Sequence, residues 1–165
     1  MASERRRQSM AISTIMDRLP AGITGGALAG VLLLLGESAT AVALGAPVEA
    51  PMRSPALVLA GEGVLSAAVP WWRAVWPGLL VHLSVSILLG LLFIALFTTL
   101  PRQLRHSWSP LTIGLAVGLV YWGLNLAFLS PWVSTGQPLL QIAEHSLLYG
   151  LPLALYVPRA LSPSH

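Results

Sequence analysis

The chain has 165 residues, of which 55% are hydrophobic and only 9% charged, with a formal net charge of +3. A soluble domain carries about 25% charge, so this composition points to a lipid rather than an aqueous surround. All nine basic residues are arginines that flank apolar runs instead of forming a groove-sized patch, which argues against nucleic acid as a partner. The absence of cysteine excludes disulfides, thiolate metal sites, Fe–S clusters and covalent c-type haem.

In chain order, Gln8 to Leu19 places Met10, Ile12, Ile15, Met16 and Leu19 at near-helical spacing among arginines, which predicts an N-terminal interfacial helix on the membrane surface. The first long apolar run, about 21–46, carries Glu37 as its only charge. Arginines followed by an apolar run and Ala-Val-Ala-Leu-Gly-Ala also suit a secretory signal, but the run is long for one and Pro47 follows the cleavage point, so retention as a helix is expected. Residues 47–76 read as an external connector. Pro47 to Pro55 is proline-rich and predicted extended, and Ala56 to Val69, too short to cross, is predicted to be interfacial or re-entrant. Further apolar runs cover about 77–100 with His82, about 110–130 with Asn125, and about 138–157 with Gln141, Glu144 and His145. A bilayer core needs about 20 such residues per helix. Proline stands at or near the start of each run (Pro20, Pro77, Pro110, Pro138), where a missing N–H is no loss.

These runs predict an all-α integral membrane protein, a four-transmembrane-helix bundle in one domain over 1–165. Arg5, Arg6, Arg7, Arg18, Arg102, Arg105 and Arg159 fall on one side and Arg53 and Arg73 on the other. By the positive-inside rule both termini are cytoplasmic, in the inner membrane of a bacterium. Trp71, Trp72, Trp76, Trp108 and Trp132 fall where an aromatic belt is expected.

Leucine gains nothing by leaving lipid, so membrane helices associate through small residues and hydrogen bonds. Gly22, Gly26 and Gly30 on the first run, Ser86 and Gly90 on the second, and Gly114 and Gly118 on the third form such faces. They serve contacts within the chain or between copies, so a homo-oligomer or a larger membrane complex is an expected partner beside the bilayer. The same faces carry the polar residues. At about 1.5 Å per residue, Glu37, His82, Asn125 and His145 fall in one slab in the outer half of the membrane. Glu144 lies at that depth about 100° around from His145, and is predicted to face another helix or subunit.

An ionisable side chain in a span is costly and calls for a partner. One reading makes the layer a satisfied network that fixes the packing. Others make it a site: a b-type haem between His82 and His145, a divalent metal on Glu37, His82 and His145, or a path for protons or a small solute. No Walker loop, nucleophile elbow or dinucleotide fingerprint is present, so a non-enzymatic role is expected, as an accessory subunit or small oligomer.

Four short stretches carry a family resemblance: Glu49-Ala50-Pro51-Met52-Arg53-Ser54-Pro55, His82-Leu83-Ser84, Gly118 to Pro131 with Tyr121, Trp122 and Asn125, and Glu144-His145 with Tyr149-Gly150. In their order the chain resembles small bacterial inner-membrane proteins of the YagU-like group. The resemblance implies a four-helix membrane fold, and it lends neither a settled activity nor catalytic residues.

Overall fold

The computed structural model describes residues 18–66, 68–105, 109–129 and 137–161, which are helical throughout with short connections and no strand. Helix α1 covers Leu19–Ala43, α2 Ala50–Ala60, α3 Trp71–Thr99, α4 Arg102–Arg105 and α5 Ser109–Leu129. Helix α6, Pro138–Glu144, continues without a break through a π turn at His145–Gly150 into α7, Leu151–Ala160. Three helices, α1, α3 and α5, are long and apolar enough to cross a membrane. Residues 138–160 form a fourth helical run divided by its π turn. The predicted interfacial helix at Gln8–Leu19 lies almost wholly outside the described residues.

Which residues turn inward follows the rule for helices in lipid. Leu28, Leu35, Leu80 and Leu88 point outward with 50–64% exposure, while Ala29, Gly30, Ser86 and Gly90 are buried. An aqueous bundle would reverse that order. At Gly26 a β-carbon would strike the Ser86 carbonyl and the Ile87 Cα, and at Gly90 it would strike the Gly22 carbonyl. Helices α1 and α3 therefore touch backbone to backbone and run antiparallel. Gly114 abuts the Gly150 carbonyl and Gly118 the His145 carbonyl, so α5 and the 138–160 run touch in the same antiparallel way. The small-residue faces are thus spent on contacts inside the chain. Beneath them Leu33, Phe93, Phe97, Leu153 and Val157 fill the core, with the two phenylalanine rings stacked at 5.9 Å.

The connector departs from the extended reading. Pro51 occupies the first turn of α2, where it displaces no hydrogen bond, and Pro55 is accommodated within the helix. Helix α2 lies against α3, with the Met52 carbonyl seated on Gly78. The Arg53 guanidinium donates to the carbonyls of Val64 (3.0 Å) and Ser66 (3.2 Å) and pairs with Glu49 (3.3 Å), which closes the loop beyond α2. Helix α3 begins at Trp71 rather than near Pro77, because that proline sits inside the helix. The π turn ends just before Pro152, which stands in the first turn of α7 and offers no N–H to the Leu148 carbonyl four residues back.

These contacts separate two kinds of glycine. Gly26→Ile and Gly118→Ile should each lower stability by about 1–3 kcal/mol or more, because backbone must move to admit the side chain. Gly123, with open space where a β-carbon would sit, should accept alanine within about 1 kcal/mol. Thermal unfolding of detergent-purified protein by circular dichroism measures all three, and a tolerated Gly26→Ile would refute the α1–α3 contact.

Candidate functional site: a polar layer and its cavity

The polar side chains form two groups with different hydrogen-bond economies. The first centres on His82. Its Nε2–H donates to the Gly30 carbonyl on α1 at 2.9 Å, which leaves Nδ1 as the acceptor of a neutral imidazole. The Tyr121 hydroxyl on α5 lies 3.1 Å from that Nδ1 and 3.2 Å from the His82 carbonyl, so its one proton is shared between two acceptors of the same residue. Ser86, one turn along α3, donates to the His82 carbonyl at 2.7 Å and stands 3.1 Å from the Tyr121 oxygen. The Tyr149 hydroxyl, carried by the π turn, donates to the Ser86 carbonyl. Tyr121 also sets its ring edge-on to His145 and Tyr149, with centroids 5.2 and 5.0 Å apart. All four side chains are buried. The group joins α1, α3, α5 and the π turn, and both nitrogens of its histidine are engaged.

The second group is less complete. The His145 Nδ1–H donates to the Gln141 carbonyl at 2.9 Å, and its Nε2 accepts from the Asn125 amide at 2.7 Å. Glu37 brings Oε1 to 3.8 Å from that Nε2, which is proximity rather than a hydrogen bond. Glu144 accepts from the Thr40 hydroxyl of α1 at 2.5 Å. These groups border a cavity of about 660 Å³, within the range of small-molecule sites, roughly 300–1,000 Å³. The rest of its wall is mainly apolar, with Leu44, Val58, Val85, Leu124 and Leu140 among its members.

Six residues singled out from the sequence, Glu37, His82, Asn125, Gln141, Glu144 and His145, line this one cavity. Glu144 and His145 diverge around the helix, one toward Thr40 on α1 and the other toward Asn125 on α5. His82 is only on the margin, with its ring committed to Gly30 and Tyr121. Neither imidazole offers a free nitrogen lone pair, and among the described residues no three His, Asp or Glu side chains gather as metal ligands. Thr40 and the hub role of Tyr121 are absent from the sequence reading. Each had a signal, because Thr40 lies one turn beyond Glu37, and Tyr121 lies seven residues beyond Gly114 on the same face. Comparison with family models, with curated proteins and with solved structures finds no match for this chain.

The two groups should respond differently to substitution. Tyr121→Phe strands the His82 Nδ1 and should cost about 1–3 kcal/mol of stability. Glu37→Gln removes a carboxyl that no hydrogen bond holds, and should leave the unfolding temperature unchanged or raise it. Equal destabilisation by both variants would show that the layer is one structural network.

Proposed function

We propose that this chain is a non-enzymatic, four-span protein of the bacterial inner membrane that holds a small solute in the cavity of its polar layer. The observation that carries the reading is the contrast between the two groups. The His82 group is hydrogen-bonded to completion and locks the bundle, whereas Glu37 faces the cavity with no hydrogen bond to its carboxyl among the described residues. A carboxyl in a span is expensive, and proteins keep such groups at substrate or ion pathways. The donor geometry favours this reading over haem or metal ligation by His82 and His145, because either ligation would first have to displace a protein hydrogen bond. Passage of the solute or of protons through the layer is an extension of the same reading, and four helices are few for a carrier, so passage would call for a second copy or a larger complex. With the glycine faces spent internally, such an assembly would use outward leucine faces.

Residues 138–160 are the proposed fourth span, with the π turn inside it. Arg18 precedes α1 and Arg159 lies in the last turn of α7, while Arg53 and Arg73 are at the opposite end of the bundle. Trp71, Trp72 and Trp76 are exposed by 49–68% at that opposite end, and the Arg73 guanidinium lies 5.3 Å from the centre of the Trp72 ring. This distribution supports cytoplasmic termini and an external α2. The placement beside YagU-like proteins remains part of the proposal, and each stretch that carries that resemblance contributes to the cavity wall, through Pro51, His82, Tyr121 and Glu144 among others.

Because the chain has no cysteine, single substitutions report topology without background. Glu62→Cys and Gln137→Cys should react with a membrane-impermeant maleimide in spheroplasts whose inner membrane is intact. Gln103→Cys and Ala160→Cys should react only after that membrane is permeabilised. External labelling of Ala160→Cys would remove the fourth span or invert the orientation.

A further inference from the structure

We infer that the cavity takes a small organic cation, an ammonium head on an apolar body. This rests on the solute-site reading above and names its ligand class. The charge on the wall is one-sided. Two carboxyl groups, Glu37 and Glu144, line the cavity, and among the described residues no arginine does. The whole chain lacks lysine. The adjacent imidazole supplies no counter-charge in the arrangement present, because His145 donates from Nδ1 to a carbonyl and accepts an amide N–H at Nε2. An acid in lipid surroundings is neutralised by a proton or by a cation, and among the described residues no cationic side chain lines this cavity, so a cation there would be a ligand.

The shape selects the kind of cation. Asn125 gives one of its two amide N–H groups to His145, and its carbonyl oxygen joins the two carboxyl groups as an acceptor, so the polar part of the wall can receive a hydrogen-bond donor. An inorganic divalent ion would require several convergent oxygen or imidazole ligands, and no cluster of three acidic or histidine side chains exists among the described residues. Much of the remaining lining, Leu44, Val58, Val85 and Leu124 among it, is apolar. Together these surfaces match an amine that carries a hydrocarbon or aromatic body.

The test uses the purified full chain in detergent at pH 8 with radiolabelled 4-phenylbutylamine, competed by 4-phenylbutanol and 4-phenylbutyrate, which share its body but are neutral and anionic. The amine should bind saturably, and both competitors should be weaker by about tenfold or more. Glu37→Gln should weaken amine binding by about tenfold or more, and the Glu37→Gln/Glu144→Gln pair should abolish it. Should the pair fail to fold, Glu37→Gln alone reads the charge requirement, because its carboxyl bears no structural hydrogen bond. Competition by the alcohol equal to that of the amine, undiminished binding to folded Glu37→Gln, displacement by sodium at the amine's own concentration, or no amine binding to folded wild type would each overturn the inference. Equal competition by the alcohol would overturn the cation class and leave a solute site standing, whereas no binding of amine, alcohol or butyrate to folded wild type would sink the solute-site reading as well.

Discussion

The approach of α3 to α1 at Gly30 is the contact on which the other arrangements depend. A β-carbon there would overlap the side chain of Ser86 and would stand 3.8 Å from the His82 Nε2. Its absence does two things. It lets Ser86 pack against α1, and it exposes the Gly30 carbonyl so that an imidazole from the neighbouring helix can donate to it. A helical carbonyl already accepts one bond from its own ladder and has a second lone pair to offer. In lipid that lone pair is reached only where no side chain covers it. The hydrogen bond then fixes which nitrogen of His82 carries the proton, and so requires a donor on the other side, the Tyr121 hydroxyl. One missing methyl group thereby positions α5 as well as α3.

The glycines of α5 extend the same logic. With Gly114 and Gly118 seated on the backbone of the π turn, Tyr149 comes within reach of the Ser86 carbonyl and Tyr121 lies between three rings. The His82 group thereby has its polar atoms paired with one another and with helix carbonyls. Its value lies in avoiding stranded polar atoms, since a buried donor or acceptor without a partner costs about 1–3 kcal/mol. The Glu37 side has no such closure. Removing its carboxyl strands nothing, so packing alone gives no reason to keep an acid at that position.

Much of this was legible in the sequence for definite physical reasons. Apolar length marks helices that must satisfy their own backbone, and small residues four apart mark close faces. The depth of Glu37, His82, Asn125 and His145 follows from helical rise alone. What escaped has physical reasons too. Tyr121 reads as one more apolar residue in a span, because its hydroxyl matters only once a partner is known. Thr40 is short and ambiguous for the same reason. Prolines 51 and 55 argued for an extended connector, yet a first-turn proline costs a helix nothing, and packing on Gly78 supports the remainder. The π turn at His145–Gly150 changes the helical repeat locally, which hydropathy does not register.

The 138–160 run then explains how one helix serves both groups. Adjacent residues on a helix diverge by about 100°, so Glu144 and His145 would normally address different neighbours. Here they do, with Thr40 of α1 on one side and Asn125 of α5 on the other. A helix end wedged between two others must leave space where the three surfaces fail to meet, and α2 covers that space without filling it, through Pro51, Ser54 and Val58. Farther along, the π turn brings Tyr149 and Gly150 back into close contact. The bundle is therefore tight where glycine meets backbone and open where Glu37 and Glu144 stand. A fold selected for packing alone would place its charges the other way, at the lipid headgroups, where water supplies the partner.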